Sequence, residues 1–243
     1  MKRCFYLSLL GGWLTGTSAL ATMDYAVDQA HDWPGVIEAT HSLLAYPSVT
    51  QEFTPAFGAL DVVEVYTRDW SFPVTNGIGA TLQVSIREDT TNGAVLAVSA
   101  PLELPDGWEG ASQFLFANLV WLTPGKRYAM EVQLLDGNNW GVDSYGTFAP
   151  PYDGGRYFVG PHQINGKDMW FRTGVRLPNV RLILDHQCVV RWTGIPPLTY
   201  RVWSSTDLVK WSHAGFVQSE TPDYAFTNST GAVTSLFYKV SLP

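Results

Sequence analysis

Apolar and polar residues alternate one by one along much of this chain, and that period of two is what most constrains its fold. Residues 80–88 alternate most clearly, and residues 126–135 repeat the pattern. Because successive side chains of a strand point to opposite faces, these segments predict strands. Glycine-containing turn dipeptides separate them: Asn76-Gly77, Asn92-Gly93, Pro124-Gly125 and Asp136-Gly137. Many short strands joined by tight turns predict an all-β fold, a jelly roll or β-sandwich.

The strand pattern predicts two domains. Residues 49–175 form the first, the β-sandwich, and residues 176–243 form a second, smaller β-module. Residues 22–48 are a lead-in without a clear pattern, in which 37–44 fits either a helical turn or an edge strand. The small module is rich in aromatic residues, and we expect these to form most of its core. They are Trp192, Tyr200, Trp203, Trp211, Phe226 and Tyr238.

Residues 1–21 have the pattern of a signal peptide. Lys2 and Arg3 precede a mostly apolar run over residues 4–13, and Ala19-Leu20-Ala21 is a small-residue cleavage site. The apolar run is too short to span a bilayer. We therefore expect cleavage after Ala21, no membrane span in the mature chain, and a secreted, cell-surface or periplasmic protein. The alternative is a buried helix.

Cleavage would leave Cys188 as the single cysteine, which predicts no internal disulfide. Its apolar strand-like neighbours predict that Cys188 is buried packing rather than a reactive thiol.

Charge excludes one large class of partner. The chain has 22 Asp and Glu against 15 Lys and Arg, a formal net charge of −7, and no basic run. Nucleic-acid binding depends on clustered cations that displace counterions from phosphates, so we expect no nucleic-acid partner.

The best candidate for ligand binding is the segment 136–157, where aromatic residues alternate with Asp, Asn and Gly. A sugar ring can stack its C–H groups on an aromatic face while carboxylates and amides bond its hydroxyls. The alternative is that the tryptophans pack in the core. A turn-like segment around Trp108 is a second candidate. The predicted ligand-binding residues are Trp108, Asn138, Asn139, Trp140, Asp143, Tyr145 and Tyr152.

The same segment offers oxygen ligands of the kind that Ca²⁺ prefers, and the predicted metal residues are Asp136, Asn138 and Asp143. Asn139 adds a fourth oxygen donor, but the spacing does not match an EF-hand loop. The alternative is that these residues stabilise a turn through their own backbone. No other cofactor is expected, since the histidines are scattered and do not suggest a zinc site.

No motif for catalysis is apparent, so we expect a protein that is not an enzyme. There is no Gly-x-Ser-x-Gly nucleophile turn. Glu103, Asp106 and Glu109 cluster in a turn-like segment, where carboxylates are most simply solvated.

Two regions of the sequence resemble known modules, each through several short motifs. Gln51-Glu52-Phe53-Thr54-Pro55, Leu122-Thr123-Pro124-Gly125 and Asp168-Met169-Trp170-Phe171-Arg172 resemble a β-sandwich module of secreted proteins from planctomycete- and verrucomicrobium-type bacteria. That resemblance implies a carbohydrate-binding-like or anchor-associated domain without an established activity. Val189-Val190-Arg191-Trp192 and Ser204-Ser205-Thr206-Asp207-Leu208 resemble the short fibronectin type III-like module at the end of such proteins. It implies a small immunoglobulin- or fibronectin III-like β-sandwich.

These observations favour a secreted non-catalytic binding protein that recognises a polysaccharide or cell-surface glycan through aromatic loop residues. The alternative is a structural or adhesive surface protein with protein partners, and a hydrolase is the third hypothesis. Exposed aromatic rings would favour the first hypothesis, buried rings with an apolar surface patch the second, and two close carboxylates in a cleft the third.

Overall fold

The structure is a computed structural model, and it describes residues 25–32, 39–70, 77–137, 140–145, 150–176, 183–184, 189–227 and 237–241. Those residues form strands, turns and loops without a helix, which confirms the predicted all-β fold. The chain divides into two compact units, of which Tyr25–Arg176 is the larger and residues after Leu177 belong to the smaller. No helix of sufficient length and hydropathy to span a membrane occurs in the described residues.

The described part of the larger unit contains fourteen strands. They are β1 (Tyr25–His31), β2 (Ala39–Ser42), β3 (Val49–Phe53), β4 (Ala59–Asp69), β5 (Ala80–Glu88), β6 (Val95–Val98), β7 (Leu102–Leu104), β8 (Glu109–Trp121), β9 (Tyr128–Gly137), β10 (Trp140–Tyr145), β11 (Tyr157–Val159), β12 (His162–Ile164), β13 (Asp168–Met169) and β14 (Phe171–Arg176).

These strands form two antiparallel seven-stranded sheets. The β4 sheet has the order β1-β14-β4-β10-β13, with β2 paired to β10 and β8 to β4. The β9 sheet has the order β12-β11-β3-β9-β5-β6, with β7 paired to β5. Apolar side chains from both sheets pack into one core, as a β-sandwich requires. The jelly-roll description stays a prediction.

The period of two predicts the buried faces of β5 and β9 correctly. Leu82, Val84 and Ile86 on β5 are fully buried, and Met130 and Val132 on β9 meet them in the same core. Burying a side chain of this size stabilises the fold by about 1.5–3 kcal/mol before conformational entropy is counted. These strands form the centre of the β9 sheet.

The lead-in contributes two strands to the larger unit. Strand β1 pairs with β14, and β2 pairs with β10 in register Thr40↔Asp143. A register shift between Val27 and Gln29 interrupts the alternation of β1. A bulge of this kind removes the period of two from the sequence, which explains why no strand was predicted there.

The described part of the smaller unit contains six strands in two three-stranded antiparallel sheets, β15-β16-β19 and β18-β17-β20. They are β15 (Ile183–Leu184), β16 (Val189–Thr193), β17 (Thr199–Ser205), β18 (Ser212–Gln218), β19 (Asp223–Thr227) and β20 (Phe237–Ser241). The fibronectin III-like description stays a prediction, and Cys188 lies outside the described residues.

Three aromatic rings form the centre of this unit's core. The ring centroids of Trp192 and Tyr224 lie 5.6 Å apart and stack, while Tyr200 meets Trp192 at 5.9 Å and Tyr224 at 4.9 Å. Val190 and Val202 complete the buried cluster. Phe226 and Tyr238 pack against it from the edge and are partly buried.

Two of the aromatic residues predicted for this core are not part of it. On β17, Tyr200 and Val202 are buried in the core, whereas Trp203, which follows Val202, is only half-buried. Trp211 is also half-buried and outside the core cluster. The prediction was wrong for Trp203 because neighbouring residues of a strand point to opposite faces.

Candidate functional site

Trp140 cannot offer a stacking surface to a sugar, which corrects its prediction as a ligand-binding residue. Its side chain has no exposed surface and lies in the core of the larger unit. Strand β10 places it there by pairing Trp140 with Asp69 of β4. The segment that looked like a polar loop therefore enters a sheet, and its tryptophan packs inside.

Asp143 is likewise fully buried on β10. Its carboxylate accepts hydrogen bonds from Thr40 Oγ1 at 2.5 Å and from Arg68 Nη2 at 3.3 Å. The same Arg68 nitrogen lies 2.7 Å from Glu109 Oε1. Burial outweighs these partners and raises the pKa of the Asp143 carboxyl to about 6. This carboxylate is held by internal partners and has no surface for a ligand.

The predicted Ca²⁺ residues do not meet. Asp136 pairs with Thr81 in the β9 sheet, whereas Asp143 pairs with Thr40 in the β4 sheet. Asn138 and Asn139 lie outside the described residues. Within the described ranges, no three side chains from His, Cys, Asp and Glu come together in a group that could hold a metal ion.

Tyr152 and Trp108 are half-buried and tied to the larger unit. The Tyr152 ring meets Phe171 edge-on at 5.0 Å, and its hydroxyl donates to Gln29 Oε1 at 3.0 Å. Burial raises the pKa of Tyr152 to about 12. Trp108 donates from Nε1 to Ser112 Oγ at 3.0 Å and packs against the core. Both rings thus have internal partners.

Tyr145 lies at the end of β10 and pairs with Asp168, but its side chain lies outside the described residues. Taken together, the predicted ligand-binding residues of the larger unit do not form a shared exposed surface in the described part of the chain.

A different group of residues, in the smaller unit, does form a shared exposed surface. Aromatic and cationic side chains lie together on the sheet β18-β17-β20 of the smaller unit, and every member of the group is half-buried or exposed. We call this group the aromatic–cationic face. Its members are Arg201, Trp203, Trp211, His213, Phe216 and Lys239.

Strand register brings these side chains together. Arg201 of β17 lies opposite Phe216 of β18, and Trp203 lies between His213 of β18 and Lys239 of β20. Residues directly opposite each other in neighbouring strands have Cβ atoms about 4.5–5.5 Å apart, which is contact distance for large side chains. Three strands therefore build one continuous face.

A bulge on this sheet allows Phe216 and His213 to share that face. The two residues are three apart, so simple alternation would place them on opposite faces. The register of β17 and β18 shifts between Val202 and Trp203, and Ala214 between the two rings packs against the core. Bulges re-aim side chains in this way, and the odd spacing hides this pair from any search for a period of two.

The cations lie over the rings. The guanidinium carbon of Arg201 is 5.6 Å from the Trp203 ring centroid and 5.5 Å from that of Phe216. Lys239 Nζ is 5.6 Å from the Trp203 centroid and 4.6 Å from that of Trp211. Cation–π contacts of this kind are worth about 0.5–1 kcal/mol at exposed sites. They position the charges without neutralising them.

Other contacts fix the rings themselves. The His213 and Phe216 centroids are 4.5 Å apart, and Trp203 meets His213 edge-on at 5.8 Å. Trp203 Nε1 donates to Ser241 Oγ at 3.1 Å. Phe216 nonetheless remains 57% exposed. The face therefore presents ordered rings to solvent, which is the arrangement that a planar or ring-shaped ligand requires.

The loop between β17 and β18 borders this face. Ser205 Oγ accepts from Leu208 N at 2.9 Å, and Asp207 Oδ1 accepts from the backbone N–H groups of Val209 at 2.9 Å and Lys210 at 2.8 Å. These backbone donors lower the pKa of Asp207. Asp207 is thus a turn residue, and Leu208 adopts a positive φ of 64°.

No known protein family matches this chain, and no curated protein is similar to it in sequence.

Proposed function

We propose that this protein is a secreted, non-catalytic binding protein that recognises a polysaccharide or cell-surface glycan through the aromatic–cationic face. The observation that carries the proposal is the ordered set of partly exposed rings around Trp203 and Phe216. The proposed function is the one expected from the sequence, but the proposed binding site lies in the smaller unit and not in residues 136–157.

Ring geometry supports a sugar ligand. The C–H groups on one face of a pyranose ring pack against an aromatic ring, and polar neighbours bond the hydroxyl groups. On this face the N–H groups of Arg201 and Lys239 are donors beside the rings. Because the rings are already fixed by cross-strand contacts, little conformational entropy is lost when a ligand stacks on them.

The test is a pull-down and affinity-electrophoresis comparison of residues 22–243 with neutral and acidic polysaccharides, beside a Phe216→Ala variant. We expect the variant to bind about fivefold or more weakly, since an aromatic contact is worth about 0.5–1.5 kcal/mol. Trp121→Ala is the matched control, because Trp121 is 52% exposed and belongs to the larger unit. Equal loss in both variants, or binding by neither the wild type nor the control, would refute the proposal.

Export is part of the same proposal, and it rests on the sequence of residues 1–21. The expected mature N-terminus is Thr22, recovered from the culture medium or the periplasm. A chain recovered from the cytoplasm with Met1 intact would contradict it.

A structural or adhesive role through protein partners is the second candidate function, and the edge strand β6 favours it. Val95, Leu96 and Val98 are all between 43% and 47% exposed, and β6 is the last strand of the β9 sheet in the described residues. An exposed apolar edge is a template for pairing with another strand, here with the same edge of a second copy.

This second candidate predicts a concentration-dependent dimer in size-exclusion chromatography. Leu96→Lys should abolish it, because a charged edge side chain opposes edge-to-edge pairing. Val209→Lys, at an exposed position of the smaller unit, is the control that should leave it intact. A monomer at all concentrations would remove this candidate.

A further inference from the structure

We infer that the ligand of the aromatic–cationic face is an acidic polysaccharide, one whose sugar rings bear carboxylate groups. This inference rests on the proposed function and narrows it from glycans in general to the uronic-acid class. Three kinds of observation carry it: the pairing state of the cations, the geometry that holds them, and the charge of the rest of the chain.

The cations of the face differ from those of the larger unit in their partners. In the larger unit Arg68, Arg87, Arg156, Arg172 and Arg176 each form an ion pair with a carboxylate. Among the described residues, Arg201 and Lys239 form none, and their recorded contacts are with aromatic rings. The Nε atom of Arg201 is buried without a hydrogen-bond partner there. In the described part of the chain, these two positive charges therefore have no carboxylate partner.

Geometry leaves these charges available to a ligand. A guanidinium that lies over a ring uses its flat face for the ring, while its N–H groups point outward in the plane of the guanidinium. That edge is the one that binds a carboxylate, and charge-assisted hydrogen bonds of this kind are about twice as strong as neutral ones. Arg201 lies over Trp203 and Phe216, and because its Nε is buried, the donors that would face a carboxylate are those of its terminal nitrogens, Nη1 and Nη2.

Spacing suits a ligand that carries both rings and charges. Lys239 lies opposite Trp203, and Trp203 is two residues along β17 from Arg201. Such diagonal neighbours are about 7–8 Å apart in a sheet. A sugar chain that stacks on Phe216 and the neighbouring rings would thus meet Arg201 and Lys239 along its length, and a carboxylate on a sugar ring would pair with the nearer cation.

The overall charge sharpens the inference. The chain carries a formal charge of −7, so an acidic polymer is repelled by most of its surface. Arg201 and Lys239, which have no carboxylate partner among the described residues, oppose that general repulsion and would direct an anionic ligand to this face. Screening by salt should weaken the attraction between exposed charges.

The experiment compares a matched pair of polymers, polygalacturonate and the same polymer with its carboxyl groups reduced to alcohols, using residues 22–243. We expect at least tenfold tighter binding to the acidic polymer at low ionic strength, and a preference that shrinks as salt is added. Arg201→Gln and Lys239→Gln should each remove most of the preference, because each should weaken binding to the acidic polymer more than binding to the reduced one.

Lys126→Gln is the control, because Lys126 is an exposed cation of the larger unit that pairs with Glu88. It should leave the preference intact, and circular dichroism confirms that each variant is folded. Equal binding to both polymers, lost in Phe216→Ala, would overturn the anionic ligand and leave the proposed function standing. Binding to neither polymer would overturn both, and so would binding that responds equally to Lys126→Gln and Arg201→Gln.

Discussion

The larger unit and the aromatic–cationic face of the smaller unit use the same residue types in opposite ways. In the larger unit Trp140 is fully buried, and charged groups pair with one another, as Arg156 does with the buried Glu52 at 2.7 and 2.8 Å. On the face, Trp203 and Phe216 remain accessible, and the cations contact aromatic rings. The first arrangement uses rings and charges for contacts inside the protein, whereas the second leaves binding capacity at the surface.

This contrast shows that aromatic content alone does not locate a binding site. A ring on the inner face of a sandwich strand is covered by the opposite sheet, so its area contributes to stability. A ring on the outer face keeps part of its area for solvent or a ligand. Strand β17 shows both outcomes, since Tyr200 is in the core and Trp203 is on the outer face.

The sharpest test of this comparison is Trp140→Ala. Removing a fully buried indole leaves a cavity in a packed core, and we expect a loss of about 3–5 kcal/mol in the free energy of unfolding. Hydrogen exchange of the full chain in urea, read on peptides from β4 and β9, measures this loss in the larger unit itself. Trp121→Ala, at a site 52% exposed, should change it by less than about 1 kcal/mol. Similar losses in the two variants would break the comparison.

The buried carboxylate of the larger unit predicts a pH dependence. Burial raises the pKa of Asp143 from 3.8 to about 6, so the folded state favours the protonated form. Stability from this group is therefore fully present below pH 3.8 and is lost as the pH rises through 6. A shift of about two units corresponds to about 3 kcal/mol between pH 4 and pH 7.

Asp143→Asn isolates this contribution, because asparagine removes the titrating charge while its amide oxygen accepts from Arg68 and its amide N–H donates to the Thr40 hydroxyl. The stability of the wild type, measured relative to the variant, should fall as the pH rises from 4 to 7. A difference that stays constant, or that rises with pH, would show that Asp143 is ionised and well solvated in the folded protein.

Tyr224→Phe tests the core of the smaller unit. The Tyr224 hydroxyl lies 2.9 Å from the carbonyl oxygen of Ile195 and 3.0 Å from that of Leu198. Its removal takes one donor from each of these carbonyls, of which that of Ile195 keeps the backbone N–H of Leu198, and should cost about 1–2 kcal/mol. Hydrogen exchange in peptides covering residues 189–227 reports it. Tyr46→Phe, at a ring 40% exposed, is the control that should cost less than about 0.5 kcal/mol.

The sequence predicted the structure where the alternation of apolar and polar residues was regular. Alternation predicted buried residues of β5 and β9, such as Leu82 and Met130, because the two strands pair without a register shift from Leu82↔Leu134 to Glu88↔Tyr128. It failed for Trp140, since polar residues precede a strand whose Asp143 is paired with Arg68, 75 residues away in the chain. Such a partner cannot be read from neighbouring residues.

The aromatic–cationic face was missed for two further reasons. Alternation shows that Tyr200 and Trp203 point to opposite faces of β17, but it does not show which face another sheet covers. In addition, the bulge beside Trp203 is what aligns His213 with Phe216, and its register shift leaves no local pattern. The signal that would have revealed the face is the mixture of cations and aromatic residues on β17, β18 and β20. A buried strand face rarely contains unpaired Arg and Lys, so such a mixture indicates an exposed face.

The smallest expected change in stability belongs to Phe216→Ala, and it is the most informative for function. The ring is 57% exposed and contacts His213 and Arg201 at the surface, so we expect a loss of less than about 1 kcal/mol in the free energy of unfolding. Polysaccharide binding should nonetheless fall about fivefold or more, which separates a ring that serves a ligand from one that serves the fold. Calorimetric titration and hydrogen exchange on the same sample compare the two effects. A large loss of stability would mean that Phe216 belongs to the packing of the sheet, and the distinction between the face and the core would no longer hold.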